Sequence, residues 1–184
     1  MSIPLHPDIE RVLIDEATLR ARVAELAAQI DRDYAGVDRL LLIGVLKGAF
    51  IFLADLARQL HVPHAVDFMA VSSYGMAAVS GAVRIVLDLR EPIEGKHVML
   101  VEDIVDSGKT LAYLHHVLAS RGPASLRTCT LLRKERPEAL SVPIDYLGFT
   151  IPDVWVVGYG LDYADTHRTL PYIGVLKRSV YQRA

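Results

Sequence analysis

Two acids, Glu102 and Asp103, follow directly on the apolar run 98–101, and after Ile104 and Val105 come Asp106, Ser107, Gly108, Lys109 and Thr110. Adjacent carboxylates at the end of a buried strand are acceptors for sugar hydroxyls or for a hydrated divalent ion, and ligands of open α/β sheets collect at the carboxyl ends of strands. The small-residue turn that follows opens a helix. Its backbone N–H groups and positive dipole end, with the Ser107 and Thr110 hydroxyls close by, suit a terminal phosphate. Asp106 and Ser107 could serve simply as helix caps, but capping leaves unexplained the two acids that close a strand of apolar residues. Ser-Gly-Lys-Thr also ends the Walker A pattern. The position of that pattern's first glycine holds Asp103, whose charge and Cβ stand in the way of a loop wrapped around phosphate, so a P-loop nucleotidase is disfavoured.

Four further segments carry chemistry-bearing residues. Lys47-Gly48 follows an apolar run; Ser73-Tyr74 opens a glycine-containing stretch; Lys134 sits among Arg133, Glu135 and Arg136; Trp155, Val156 and Asp162 lie within residues 153–163, with Arg168 beyond. Taken singly, each has a plainer reading: a strand-to-helix turn with a solvated lysine, a tight turn, an exposed charged loop, and a tryptophan used for core packing.

The elements that must position these residues are legible from periodicity. Leu19, Val23, Leu26, Ala27 and Ile30 recur at helical spacing, with Asp15 or Thr18 as cap and Gly36 as terminator. A continuous apolar run at 40–46 predicts a buried strand, and Phe50, Leu53, Leu56, Ala57 and Leu60 predict a helix after it. Strands are expected at 66–71 and 83–89 around a loop at 72–82, then at 98–101. Leu111, Leu114, Val117 and Leu118 line a helix closed by Gly122-Pro123. Strand-like runs at 126–132, 144–149, 154–157 and 172–176 complete an alternation that predicts an α/β fold with a largely parallel sheet covered on both faces.

Composition narrows the function classes. The 184 residues hold 52% hydrophobic and 23% charged side chains, enough for one substantial core and too few for a second full domain. A net charge of -2 lacks the cationic footprint of a duplex-binding protein. The single cysteine, Cys129, falls in an apolar run where it has no partner, which fits a reduced, cytoplasmic setting. The N-terminal stretch mixes prolines and charges with its apolar residues, and no apolar run approaches membrane-spanning length.

The segment Val-Glu-Asp-Ile-Val-Asp-Ser-Gly-Lys-Thr at 101–110 resembles the phosphoribosyl pyrophosphate signature of the type I phosphoribosyltransferases, and the remaining segments narrow the resemblance to the hypoxanthine-guanine phosphoribosyltransferases over most of the chain from residue 40 onward. The resemblance implies a single domain, with a core at about 37–143 and a small hood formed by the N-terminal segment and residues from about 144 to 184. It implies that Lys47 and Gly48 lie in a pyrophosphate loop whose preceding peptide can be cis. Ser73 and Tyr74 match the start of a mobile loop that closes over the active site. Glu102 and Asp103 match the ribose- and magnesium-binding acids, Asp106 the acid/base that exchanges a proton with N7 of the base, and Ser107, Gly108, Lys109 and Thr110 the phosphate cradle. Lys134 matches the lysine at the purine 6-oxygen, Trp155 the stacking aromatic, Val156 the residue whose backbone bonds the base edge, Asp162 a magnesium-binding acid and Arg168 a pyrophosphate contact. The activity so implied is magnesium-dependent phosphoribosyl transfer to a 6-oxopurine in purine salvage, by a homodimer or homotetramer. A nucleotide-sensing, RNA-binding regulator of the same fold is the alternative, and the intact Asp106, Trp155 and Asp162 set weighs against it.

Overall fold

The computed structural model describes residues 5–73 and 83–182. Tyr74 and most of the 72–82 loop lie outside the described residues. The chain opens with β1 (Ile9–Ile14) and α1 (Glu16–Asp33). The Asp15 side chain caps α1 by accepting a hydrogen bond from the Thr18 amide, which satisfies one of the donors that a helix start leaves without a partner. Leu19, Val23, Leu26, Ala27 and Ile30 are the buried stripe of this helix, as their spacing predicts.

The central sheet follows: β2 (Leu40–Leu46), β3 (His64–Ser73), β4 (Val83–Leu87), β5 (His97–Val105), β6 (Ser125–Lys134) and β7 (Tyr146–Ile151), in the spatial order β4-β3-β2-β5-β6-β7. All neighbours are parallel except the edge pair β3–β4. Between strands run α2 (Phe50–Gln59), α3 (Lys109–Ala119) and the short α4 (Pro137–Leu140). One face of the sheet packs on α1 and α2, through Val23, Leu26, Phe52, Leu56, Met99, Val101 and Leu131. The other packs on α3, through Ile43, Leu100, Leu111, Leu114 and Leu118. Cys129 is free and buried in β6, where burial pushes its thiol well above the usual range and leaves it inert.

A second, three-stranded antiparallel sheet joins β1, β9 (Ile173–Leu176) and β8 (Val156–Val157), with the four-residue α5 (Arg178–Tyr181) after it. Several boundaries differ from the sequence reading. Strand β7 belongs to the central sheet, paired with β6 from Cys129↔Tyr146 to Lys134↔Ile151, so the segment that leaves that sheet starts after residue 151 and not at 144. Strand β8 is only two residues long, and Trp155 before it is half-exposed. Strands β5 and β6 run longer than their apolar runs, to Val105 and Lys134; hydrophobicity marks a buried strand but misses the polar residues with which a strand ends at a site.

Candidate active site

The parallel arrangement brings the carboxyl ends of β2, β3, β5 and β6 to one edge of the sheet. At β2, the Leu46–Lys47 peptide is cis. Gly48 follows, and a Cβ there would drive into the Asp103 carboxylate, so only glycine lets the 46–48 turn lie against β5. The carbonyl of Gly48 in turn lies against Gly160, whose φ of +105° also requires glycine. Ser73 closes β3 on the same edge, its backbone paired with Val83 of β4.

Glu102 and Asp103 are successive residues within β5 and point to opposite faces. Glu102 is buried, and its Oε2 has no hydrogen-bond partner among the described residues. Burial, reinforced by the neighbouring Asp103 charge, raises its carboxyl well above the usual range. Burial likewise pushes Asp103 up to about 6, against the opposing pull of backbone N–H groups and of Arg168. These acids are not solvated turn residues; burial makes their charged forms costly.

Beyond them the turn enters α3 with Gly108 at φ +77° and no side-chain cap. Asp106 and Ser107 therefore do not cap the helix. Ser107, Gly108, Thr110 and Glu102 line a cavity of about 80 Å³ at the start of α3, while Lys109 is exposed. The Asp106 carboxylate turns instead to β6, where Arg136 Nη1 lies 2.9 Å from one oxygen and Lys134 Nζ 3.5 Å from the other. Lys134 is 8% exposed, the last residue of a buried strand and not part of an exposed charged loop. Asp153 completes the ring, 3.4 Å from Lys134 and 2.7 Å from Arg136 Nε; Arg136 holds its carboxyl below the usual range. Arg136 and Asp153 were not singled out in the sequence, although both stand beside residues that were.

Trp155 is not core packing. It is 46% exposed, stacked on Tyr181 at 5.4 Å between ring centroids and edge-on to Tyr163 at 5.7 Å. Ile104, Asp106, Lys134, Trp155, Val156, Leu161 and Asp162 together line a cavity of about 170 Å³. It gathers two acids, one buried ammonium, one exposed aromatic face and a hydrophobic wall from three separate parts of the chain. On the other flank, Asp162 accepts from the Asp165 amide at 2.7 Å and lies 2.7 Å from Arg168. Arg168 also donates to the Gly160 carbonyl and to Asp165, and Lys47 donates to that same Asp165 oxygen at 3.0 Å. Asp165, also missed in the sequence, thereby ties the 46–48 turn to the segment bearing Asp162 and Arg168. Ala164, Asp165 and His167 all have positive φ, a conformation that side chains other than glycine adopt only when held there.

Two larger clefts, of about 530 and 560 Å³, lie elsewhere and contain none of these residues. Convergence of polar groups, not size, locates the site. The sequence profile described as a phosphoribosyl transferase domain matches residues 14–164, which span every strand of the central sheet and most of the site. The chain belongs to the phosphoribosyl transferase family. Among its relatives, the hypoxanthine-guanine phosphoribosyltransferase of Mycobacterium tuberculosis is 53% identical over 186 residues, covering 97% of this chain and 92% of that one. The hypoxanthine phosphoribosyltransferase of Escherichia coli is 50% identical over 166 residues, covering 89% and 93%. The structure of Trypanosoma cruzi hypoxanthine phosphoribosyltransferase in complex with the product IMP superposes with a TM-score of 0.90 at 46% identity, over 97% of this chain and all of that one. Within this phosphoribosyl transferase fold, the acidic pair and the turn after it occupy the carboxyl edge of the sheet, and the aromatic arrives from the segment beyond it.

Proposed function

We propose that this protein transfers the 5-phosphoribosyl group of phosphoribosyl pyrophosphate to N9 of hypoxanthine or guanine, giving IMP or GMP and pyrophosphate. The observation that carries the reading is the single cavity shared by Asp106, Lys134, Trp155 and Asp162 beside the buried acids of β5. In this reading the purine stacks on Trp155, the Lys134 ammonium donates to the 6-oxygen, and the Val156 backbone meets the base edge. Lys134 and Arg136 share two carboxylates, so the ammonium trades a long ion pair for the base and is never left alone.

Ribose hydroxyls fall to Glu102 and Asp103, the 5-phosphate to the cradle of Ser107, Gly108, Lys109 and Thr110, and the pyrophosphate to Lys47, Gly48 and Arg168. Ser73, at the end of β3, and Tyr74, which lies outside the described residues, are assigned to the sugar side of the site. A hydrated divalent cation fits the donor set: among the described residues Glu102 has an oxygen without a hydrogen-bond partner, the Asp103 carboxyl is pushed up to about 6 by burial, and Asp162 is within electrostatic reach of it. Hard oxygen donors of this kind are those magnesium takes. Magnesium, when bound, neutralises charge on the departing pyrophosphate.

As the bond from the sugar carbon to pyrophosphate breaks ahead of the bond to N9, positive charge grows on the ribose ring. The acids of β5, ionised once a cation and the positive ribose lie beside them, are preorganised to stabilise it. Asp106, on the cavity wall, exchanges a proton with N7 as N9 becomes nucleophilic. The β3–β4 end of the central sheet also supports assembly as a dimer or tetramer, since Val66, Val86 and Leu87 are exposed there. No helix among the described residues is long and apolar enough to cross a membrane, and the free thiol of Cys129 suits the cytoplasm. The test is direct: with magnesium and phosphoribosyl pyrophosphate, hypoxanthine and guanine each yield nucleotide and pyrophosphate. Absence of nucleotide with every 6-oxopurine overturns the assignment.

A further inference from the structure

Outside this site, His6, Asp8 and His167 bring one ligating atom each to within 4.8 Å of the others. His167 Nε2 lies 3.4 Å and His6 Nδ1 3.8 Å from the same Asp8 oxygen. We propose that these three side chains form a binding site for one borderline divalent transition ion, zinc by preference, that ties the start of the chain to the segment carrying Asp162 and Arg168. The inference is independent of the purine assignment.

Two imidazoles and a carboxylate suit zinc, cobalt or nickel and do not suit magnesium, which prefers oxygen donors and keeps its waters. Tetrahedral bonds of about 2.0–2.2 Å set donors roughly 3.3–3.6 Å apart. The observed spacings reach that range with small rotations of side chains. His6 Nδ1 accepts the Asp8 amide hydrogen at 3.2 Å, so an unprotonated nitrogen faces the cluster and exchanges a long bond for the ion. The His167 side chain is 9% exposed and stands on a backbone at φ +70°. Its ring meets that of His6 edge-on at 4.8 Å between centroids.

The frame around the cluster is already built. The His6 amide donates to the Tyr172 hydroxyl at 3.2 Å, the His6 carbonyl accepts from Ile9, and the Asp8 carbonyl accepts from Lys177 at 2.9 Å. Both ends of β9 therefore hold the two N-terminal donors opposite His167. With three protein donors the fourth position falls to water, the arrangement of an open site. Because His167 adjoins Arg168, a bound ion also fixes the backbone from which the guanidinium reaches Asp162, Asp165 and the Gly160 carbonyl.

The experiment uses the full chain without an affinity tag, titrated with Co²⁺ in a large excess of Mg²⁺ so that oxygen-only sites stay filled. One equivalent of cobalt is expected to give the intense visible absorption of a four- or five-coordinate nitrogen-ligated ion, and Zn²⁺ is expected to abolish it. His167→Phe keeps an aromatic edge against His6 but no ligand, and Asp8→Asn keeps the shape without the charge. Each is expected to weaken cobalt binding by more than about tenfold, with the melting temperature in the absence of added ion unchanged. If one of these variants unfolds, His6→Ala, at the more exposed end of the cluster, gives the same reading. No intense band in the parent, or undiminished affinity in the folded variants, overturns the site. Nucleotide formation measured in magnesium alone is a separate readout, so failure of the metal site leaves the transfer assignment standing.

Discussion

The two flanks of the site handle charge in opposite ways. On the base flank, Asp106, Lys134, Arg136 and Asp153 form a closed ring in which each acid faces both cations. On the flank proposed for the sugar, Glu102 is buried and Asp103 beside it half-buried, both raised, and among the described residues Glu102 keeps an oxygen without a hydrogen-bond partner. In the proposed reading the base flank exchanges partners to bind, and what it gains is selectivity. The sugar flank is destabilising until a cation or sugar arrives, and what it gains is affinity for ligands that supply positive charge or hydroxyl donors. One flank is therefore tested by specificity and turnover, the other by stability and pH.

The largest effect expected is on turnover. Asp106→Asn preserves the shape of the turn and part of its contact with Arg136 and Lys134, so the variant folds and still binds phosphoribosyl pyrophosphate, but kcat falls by roughly 10²-fold or more. Unchanged kcat would remove Asp106 from proton transfer and leave it an ion-pair partner of Arg136 only.

Next comes discrimination between bases. Lys134 can only donate, and adenine presents an amino donor at position 6, so adenine is expected to be disfavoured by on the order of 2 to 4 kcal/mol in kcat/KM. Lys134→Gln, whose amide can present either group, narrows the hypoxanthine-to-adenine ratio by at least about tenfold. A parent that uses both bases equally breaks the 6-oxopurine assignment; a ratio unchanged in the variant moves discrimination to the neighbouring Arg133 or Arg136.

Trp155→Ala removes the exposed stacking face and is expected to weaken purine binding by about 1 to 3 kcal/mol, measured by calorimetry with the nucleotide product. Since Trp155 is not part of the core, the melting temperature should stay nearly unchanged. A large loss of stability with base affinity intact would return the residue to a structural role.

The smallest effect tests the sugar flank. A carboxyl whose folded pKa is raised favours the neutral form in the fold, so its contribution to stability is fully present below about pH 4 and is lost as pH rises through about 6. Asp103→Asn, permanently neutral, is therefore expected to stabilise the ligand-free protein at pH 8 by on the order of 1 kcal/mol and not at pH 4. The same ionisation predicts that magnesium-dependent binding of phosphoribosyl pyrophosphate weakens as pH falls below about 6. Equal denaturant midpoints of parent and variant at both pH values would show that Asp103 carries no stored penalty.

Local periodicity was enough to read most of the elements. The α1 stripe, the buried runs of β2 and β5, and the helices after them follow from 3.6-residue spacing and from apolar runs too short for helices, because those patterns record which face meets a core. Individual residue types at the end of β5 likewise pointed to the turn proposed to hold sugar and phosphate, since few other uses place two acids and a small-residue helix start after a buried strand. The true ends of β5 and β6 were not legible, because a strand continues into polar residues wherever a neighbouring strand still pairs with it. Nor was the assignment of residues 146–151 to the central sheet, which rests on pairing with β6 and on no local signal.

The tertiary structure alone decided which charges meet. Arg136 and Asp153 are 17 residues apart in number, and Lys47 and Asp165 are separated by 118; side-chain electrostatics between such pairs exist only once parallel strands have delivered their carboxyl ends to one edge. The same holds for Trp155, which in sequence reads as core in a valine-rich strand and in space stands half-exposed over the cavity. Residue types determine what chemistry is available, through donor, acceptor and charge, whereas burial and partner choice determine the energetic state of each group, and those depend on distances that the folded chain sets.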